Sequence, residues 1–263
     1  MQVEEYNLIK REVLTLTGID LNFYKDAQMQ RRLNTFLLRS KHDSWQNYFR
    51  AIRTDSAELR KLKDYLTINV SSFFRDTEKY KTLKEKVLPE LLDGHPRLRV
   101  WSAGCSRGQE PYSIAMLLAE LTGDFRRHYI LATDLDRSAL DIAQAGGPYT
   151  DDDVAHVAPA FRQQYFLTRD GKHWVSNDLK RRITFRQQNL LADRFETNFD
   201  LIICRNVVIY FTAPVKDKLY QDFYRALRPG GVLFVGGTEI VPKATTLGFR
   251  PAGISFYRRN GKI

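Results

Sequence analysis

Residues 98–120, LRVWSAGCSRGQEPYSIAMLLAE, constrain the fold of this chain more than any other stretch. Leu98, Val100 and Trp101 predict a short apolar strand. Ala103, Gly104, Cys105, Ser106 and Gly108 predict a turn almost without side-chain bulk. Pro111 suits the first turn of a helix, where a missing N–H costs nothing. Ile114, Leu117, Leu118 and Leu121 then recur at helical spacing. Such a loop admits a ligand close to the backbone and aims a helix N-terminus at it. Alone, the pattern is explained equally well by a β–α turn that binds nothing.

The next strand narrows the choice. It runs from Tyr129 to Asp134 and ends in an acidic residue, which in dinucleotide-type folds commonly receives ribose hydroxyls. The glycines do not spell G-x-G-x-x-G, and Glu110 at the helix start repels a pyrophosphate. The charge pattern therefore favours a cationic or zwitterionic nucleoside, with S-adenosylmethionine the leading candidate.

Downstream, strands and helices alternate. Helix 137–145 and strands 183–187 and 201–204 are followed by helix 214–227 and strands 231–236 and 254–258. This alternation predicts a parallel α/β sheet. Residues 149–182 interrupt it. There Asp170-Gly171 lies between alternating apolar residues, a strong hairpin signal, so this stretch reads as an insertion with a small antiparallel piece. In an open parallel sheet, ligands sit beyond the carboxyl ends of the strands. Residues 104–110, Asp134, Gln188, Asn189, Arg205 and Asn206 all fall there.

Residues 1–68 read as helical, with helices expected over 3–16 and 22–40, then two more capped by Ser44 and by Asp55 or Ser56. Lys25, Arg32 and Arg39 recur every seven residues beside the apolar stripe Met29, Leu33, Phe36 and Leu37. A basic stripe of this kind is usually only a solvated face. Residues 68–76, INVSSFFRD, have no helical period. They combine polar tips at Asn69, Ser71 and Arg75 with the apolar anchors Phe73 and Phe74, as a connector folding over a ligand requires. One helix is expected over 77–93.

The net charge of +10 over 263 residues points to an anionic partner. It is concentrated in two patches: residues 23–63 hold ten Lys/Arg against four Asp/Glu, and residues 160–186 seven against two. No apolar run approaches the roughly 18 residues of a membrane span. The N-terminal MQVEEYNLIKRE lacks a signal-peptide core. Cys105 and Cys204 each end a predicted strand and read as buried fillers. Nothing in the sequence points to a metal, and a cytoplasmic protein is expected.

The motifs NVSSFFR (69–75), WSAGCSRGQEPYSIAM (101–116), ATDLD (132–136), QNLL (188–191), CRNVVIYF (204–211) and LRPGGVLFVGGTE (227–239) closely resemble the CheR family of bacterial chemotaxis receptor glutamate O-methyltransferases. The resemblance covers essentially the full length. It implies an α/β class I S-adenosylmethionine-dependent methyltransferase domain with a Rossmann-like sheet (97–263) and an inserted small antiparallel β-subdomain (149–182). An all-α N-terminal domain (1–68) and a linker with a connecting helix (69–96) precede it. It further implies cofactor contacts from Asn69, Ser71, Arg75, Glu110, Asp134, Asn189, Leu190, Arg205 and Asn206. Ser71 stands where many members have Thr and keeps the hydroxyl. In some members the β-subdomain binds a C-terminal receptor peptide.

The implied reaction methylates a glutamate carboxylate, giving a methyl ester and S-adenosylhomocysteine. The acceptor, with an ordinary pKa of about 4.3, arrives ionised, so no general base is expected. Positioning carries the rate, with Arg75 and Tyr210 as the candidate catalytic residues. Lys25, Arg31, Arg32 and Arg39 are the candidates for docking the acidic, glutamate-bearing cytoplasmic helices of chemotaxis receptors. A monomer is expected, recruited to receptor clusters at the membrane without being embedded in it. Two rivals stand beside this reading: a methyltransferase of the same fold with another acceptor, such as nucleic acid, and a non-catalytic S-adenosylmethionine-binding scaffold. No recognisable nucleic-acid-binding module supports the first.

Overall fold

The computed structural model describes residues 1–261, so the last two positions of the expected methyltransferase domain, 262 and 263, lie outside the described residues. The chain forms two compact units: Met1–Ile68 with Ile209–Lys216, and Asn69–Val208 with the chain from Asp217 onward.

In the helical unit, α1 (Val3–Thr17) stops at Gly18, whose φ of 75° suits a residue without Cβ. A single tight turn, Leu21–Phe23, precedes α2 (Asp26–Arg39), so the second helix begins later than its apolar spacing predicts. The side chain of Ser44 caps α3 (Trp45–Ile52), and that of Asp55 accepts the Ala57 and Glu58 N–H groups at the start of α4 (Ser56–Leu66). Ile9, Val13, Leu33, Trp45, Tyr48 and Leu62 are buried in this unit. The segment Ile209–Lys216 joins it through backbone bonds. Lys25 N–H donates to the Tyr210 carbonyl at 3.0 Å and Thr212 N–H to the Phe23 carbonyl at 2.9 Å. The Tyr24 and Phe211 rings meet edge-to-face with centroids 5.2 Å apart.

The second unit opens with a linker and then α5 (Thr77–Thr82), which passes through a wider turn at Leu83–Val87 into α6 (Leu88–Leu92). The Leu88 N–H reaches back five residues to the Leu83 carbonyl. Pro89 has no N–H and crowds the carbonyl four residues earlier, so the expected single helix takes up one wide turn there.

A seven-stranded sheet follows, built from β1 (Arg99–Ala103), β2 (Tyr129–Asp134), β5 (Ile183–Gln187), β6 (Phe199–Cys204), β7 (Leu227–Val235), β8 (Phe249–Pro251) and β9 (Phe256–Arg259). Its order is β5-β2-β1-β6-β7-β9-β8. The first five strands are parallel. The sheet is not parallel throughout: β9 runs antiparallel to β7, and β8 to β9. No crossover helix separates β7 from β9, and without one the chain returns antiparallel. The order reverses between β1 and β6, the switch point at which open sheets of this kind bind ligands.

α7 (Gln109–Thr122), α8 (Arg137–Ala145) and α11 (Ala213–Ala226) supply the crossovers. Ile114 and Leu118 pack with Val100, Ile130, Leu201 and Phe234 in one core, joined by Leu83 and Leu88. Trp101 meets Phe195, Phe199 and Phe223 in a separate aromatic group. Between α8 and β5 lie α9 (Pro159–Tyr165), the hairpin β3 (Phe166–Arg169) and β4 (Lys172–Val175), and α10 (Asn177–Lys180). Asp170 and Gly171 both take positive φ, 47° and 66°, as a two-residue hairpin turn requires.

Candidate active site

The carboxyl ends of β1, β2, β5 and β6 carry the polar residues singled out in the sequence. After β1 the backbone folds sharply, and the N–H groups of Gly104 and Cys105 both donate to the Thr133 carbonyl, at 2.8 and 2.9 Å. Gly104 has φ 87°, and a Cβ there would lie 2.5 Å from Val207 Cγ2, so the loop presses against the segment following β6. The Ser106 N–H then donates to Asp134 Oδ2 at 2.7 Å, while Asp136 N–H donates to Asp134 Oδ1 at 2.9 Å. Asp136 in turn accepts from Asn69 Nδ2 at 2.5 Å, which draws the linker to the end of β2. Burial raises the Asp134 carboxyl above its ordinary value, opposed by these amides.

A second cluster centres on Arg205, whose side chain is 3% exposed. Its Nη1 lies 3.6 Å from Glu110 Oε2, and its Nη2 donates to the Arg75 carbonyl at 2.9 Å and to the Asp76 carboxylate. The guanidinium also lies over the Phe234 and Tyr80 rings, 4.9 and 5.4 Å from their centroids. Glu110 Oε1 accepts from Ser102 Oγ at 2.8 Å. Burial raises the Glu110 carboxyl, while Arg205 and Ser102 pull it down.

The remaining residues divide between the units. Arg75 Nη1 donates to the Val70 carbonyl at 2.8 Å, and Ser71 is half-buried with its carbonyl 3.4 Å from Gln109 Nε2. Asn189 Oδ1 accepts the Leu191 N–H at 2.9 Å, and the Gln188 N–H ties this turn to the Asp134 carbonyl at 2.9 Å, with Leu190 half-buried beside it in sequence. Asn206 takes φ 60°, and its N–H donates to Glu239 Oε2 at 2.9 Å. Tyr210 belongs to the helical unit, as do the basic residues. Lys25, Arg31 and Arg39 lie there on or beside α2, with Arg31 and Arg39 exposed. Arg32 is half-buried, its guanidinium bonded to the Tyr65 carbonyl and 4.8 Å from the Tyr65 ring centroid.

Asp76 and Glu239 close the stretches 68–76 and 227–239, but neither is marked out there as a site residue. Asp76 follows the linker in the left-handed region, φ 62°. Glu239 also accepts the Gly236 N–H, at 2.6 Å, so one buried carboxylate oxygen holds the ends of both β6 and β7. A sequence sign of that role is the Gly236-Gly237 pair just before it, where a Cβ on Gly236 would fall 2.6 Å from the Glu239 carboxylate.

Ser106 Oγ, Gln109 Oε1, Gln188 Oε1, Arg205 Nε and Glu239 Oε1 are buried without a hydrogen-bond partner among the described residues. Buried polar atoms are normally paired, and these five sit on residues flanking the strand ends. Together with the carboxylates of Glu110, Asp134 and Glu239, they fit a ligand that is cationic and rich in hydrogen-bonding groups.

Residues 69–255 match the CheR methyltransferase SAM-binding domain, and residues 4–67 match the CheR methyltransferase all-alpha domain. The chain belongs to the CheR methyltransferase family. It is 40% identical over 256 residues to a chemotaxis protein methyltransferase of Listeria monocytogenes, covering 97% of each chain. It is 38% identical over 233 residues to chemotaxis protein methyltransferase 1 of Pseudomonas aeruginosa, covering 84% of this chain and 85% of that one. The chain is thus an S-adenosylmethionine-dependent methyltransferase of the chemotaxis system, with a Rossmann-like α/β domain and an all-α N-terminal domain. Among its described residues no helix is long and apolar enough to cross a membrane.

Proposed function

We propose that this CheR methyltransferase esterifies side-chain carboxylates of glutamates on the cytoplasmic helical region of chemotaxis receptors, leaving S-adenosylhomocysteine. The observation that carries this reading is the kind of group found at the strand ends. Its titratable side chains are carboxylates and arginines, and burial raises the Cys105 and Cys204 thiols well above their ordinary value, which keeps them protonated. None of the five histidines of the sequence lies at those ends. His128 precedes β2 at its opposite end, His173 sits in β4, and His42, His95 and His156 lie in the helical unit, before β1 and in the insertion. The two raised carboxyls there, Glu110 and Asp134, are engaged by Ser102 and Arg205 and by the Ser106 and Asp136 amides, and an acceptor that is already ionised asks no proton transfer of them.

S-adenosylmethionine, when bound, supplies a methyl group on a positively charged sulfur. Around it, we assign Asp134 to the ribose hydroxyls, Glu110 to the amino group and Arg75 to the carboxylate of the methionine moiety. Asn69, Ser71, Asn189, Leu190, Arg205 and Asn206 complete the contacts. Arg205 neutralises part of the charge of Glu110 and Asp76 and so keeps the acidic site from repelling a carboxylate acceptor. Tyr210 is assigned to the neighbourhood of the transferred methyl from its place in the sequence, about one turn beyond Arg205 and Asn206. Lys25, Arg31 and Arg39 give α2 a basic face that complements acidic receptor helices. Rate then comes from in-line placement of donor and acceptor.

The test compares label transfer from S-adenosylmethionine to membranes carrying wild-type receptors with transfer to receptors whose candidate glutamates are alanine. Loss of label in the second supports the proposal; equal label in both, or label on nucleic acid alone, refutes it.

A further inference from the structure

The carboxylate of Asp153 is where three separate stretches of the methyltransferase unit meet. The residue lies in the insertion and is 5% exposed. Its Oδ1 accepts from Arg107 Nη2 at 2.8 Å and from Gln109 Nε2 at 3.1 Å. Its Oδ2 accepts from the Thr150 N–H at 2.9 Å and Thr150 Oγ1 at 3.1 Å, while its own carbonyl accepts the Phe73 N–H at 2.9 Å. Tyr149 reinforces the junction. Its hydroxyl donates to the Arg107 carbonyl at 2.6 Å, and its ring meets Phe73 edge-on with centroids 4.9 Å apart.

Arg107 and Gln109 flank Gly108 at the turn into α7, one step from Ser106 and Glu110. Ser71 and Phe73 belong to the linker. Gln109 is fully buried and its Oε1 has no partner, so the orientation of its amide rests on the two acceptors of Nε2, Asp153 and the Ser71 carbonyl. Four charge-assisted hydrogen bonds to one buried carboxylate are strong individually, and losing the charge leaves several donors unsatisfied at once.

We propose that Asp153 is a positioning residue for the cofactor. Acting through Arg107 and Gln109 on the 104–108 loop, and through Phe73 on the linker, it holds both in the shape that takes S-adenosylmethionine. The insertion is thereby coupled to cofactor binding, although Asp153 itself need touch no ligand.

Calorimetric titration of Asp153→Ala and Asp153→Asn with S-adenosylmethionine and with S-adenosylhomocysteine tests this without any acceptor, so it stands or falls apart from the glutamate reading. Asp153→Ala is expected to weaken both ligands about tenfold, a shift of roughly 1.4 kcal/mol, and Asp153→Asn less, because one oxygen still accepts. With saturating donor, kcat is expected to stay within about twofold while KM for the donor rises. In hydrogen exchange, adding S-adenosylmethionine should protect amides 149–154 in the wild type and not in Asp153→Ala. Should Asp153→Ala fail to fold, Arg107→Gln removes the more exposed partner and should raise the same dissociation constants. A lowered melting temperature with unchanged dissociation constants and no ligand-dependent protection of the insertion would overturn the proposal.

Discussion

Arg205 Nη1 lies 3.6 Å from Glu110 Oε2, so the residue just past β6 and the first turn of α7 share one buried ion pair. The pair is asymmetric, because Arg205 also serves Asp76 and the Arg75 carbonyl, whereas among the described residues Glu110 otherwise has only the Ser102 hydroxyl. Arginine therefore satisfies a carboxylate from each side of the cleft floor and a linker carbonyl at the same time.

Glu110→Gln should raise the dissociation constant of S-adenosylmethionine about tenfold or more, as expected for the loss of a charged partner. Stability should respond the other way. Burial raises the Glu110 carboxyl above its ordinary value of 4.5, so the folded chain holds this proton more tightly than the unfolded chain. Stability then falls as pH rises from the ordinary carboxylate value through the raised one. Melting curves across that window should show wild type losing stability relative to Glu110→Gln, while cofactor affinity of wild type rises over the same interval.

Arg205→Met should be strongly destabilising, by about 3 kcal/mol in urea titration, because it strands Glu110 beside no cation. Arg205→Lys should recover part of the loss but not the linker contact, since one ammonium does not span Glu110, Asp76 and the Arg75 carbonyl. A loss below about 1 kcal/mol for Arg205→Met would show that the ion pair does not hold the floor together.

Arg31→Glu with Arg39→Glu should slow methyl transfer to receptor membranes about tenfold at low salt, leave cofactor affinity unchanged, and lose much of its effect as salt is raised. Arg32 is a poor probe of docking. Its guanidinium is committed to the Tyr65 carbonyl and ring, and Arg32→Glu should lower the melting temperature whatever the acceptor.

Gly104→Ala should cost about 1–2 kcal/mol from its left-handed backbone alone, with an added penalty from the Val207 methyl 2.5 Å from the new Cβ. Val207→Ala in the same chain should return the steric part and leave the backbone part, a coupling that a double-mutant cycle in urea reads directly.

Much of this architecture is legible in the chain, for reasons that differ by element. The strand–loop–helix at residues 98–120 announces itself because small residues, a proline and a helical repeat fall in the order that one βα unit needs. Asp170-Gly171 is legible because a two-residue turn needs two positive φ values. The antiparallel return of β9 is not: an apolar run gives strand without direction, and direction depends on the absence of a crossover helix. Leu21–Phe23 fits helical spacing, yet the chain makes only a single tight turn there and starts α2 at Asp26. In the candidate site, residues at strand ends can be picked out from the pattern, because strand ends converge in any open sheet. Asp76, Asp153 and Glu239 cannot, since a carboxylate shows its importance only when burial and donors from distant segments surround it. Arg32 shows what a charge pattern leaves out, since this residue of the basic stripe also bonds the Tyr65 carbonyl and lies by its ring.

The most direct test of carboxyl methylation is the fate of labelled methyl after transfer from S-adenosylmethionine to chemoreceptor-containing membranes, followed by mild alkali. The expected result is label on the receptor that alkali releases as methanol, the signature of a carboxyl methyl ester. Tight cofactor binding with no receptor label, or label that survives alkali, would contradict it.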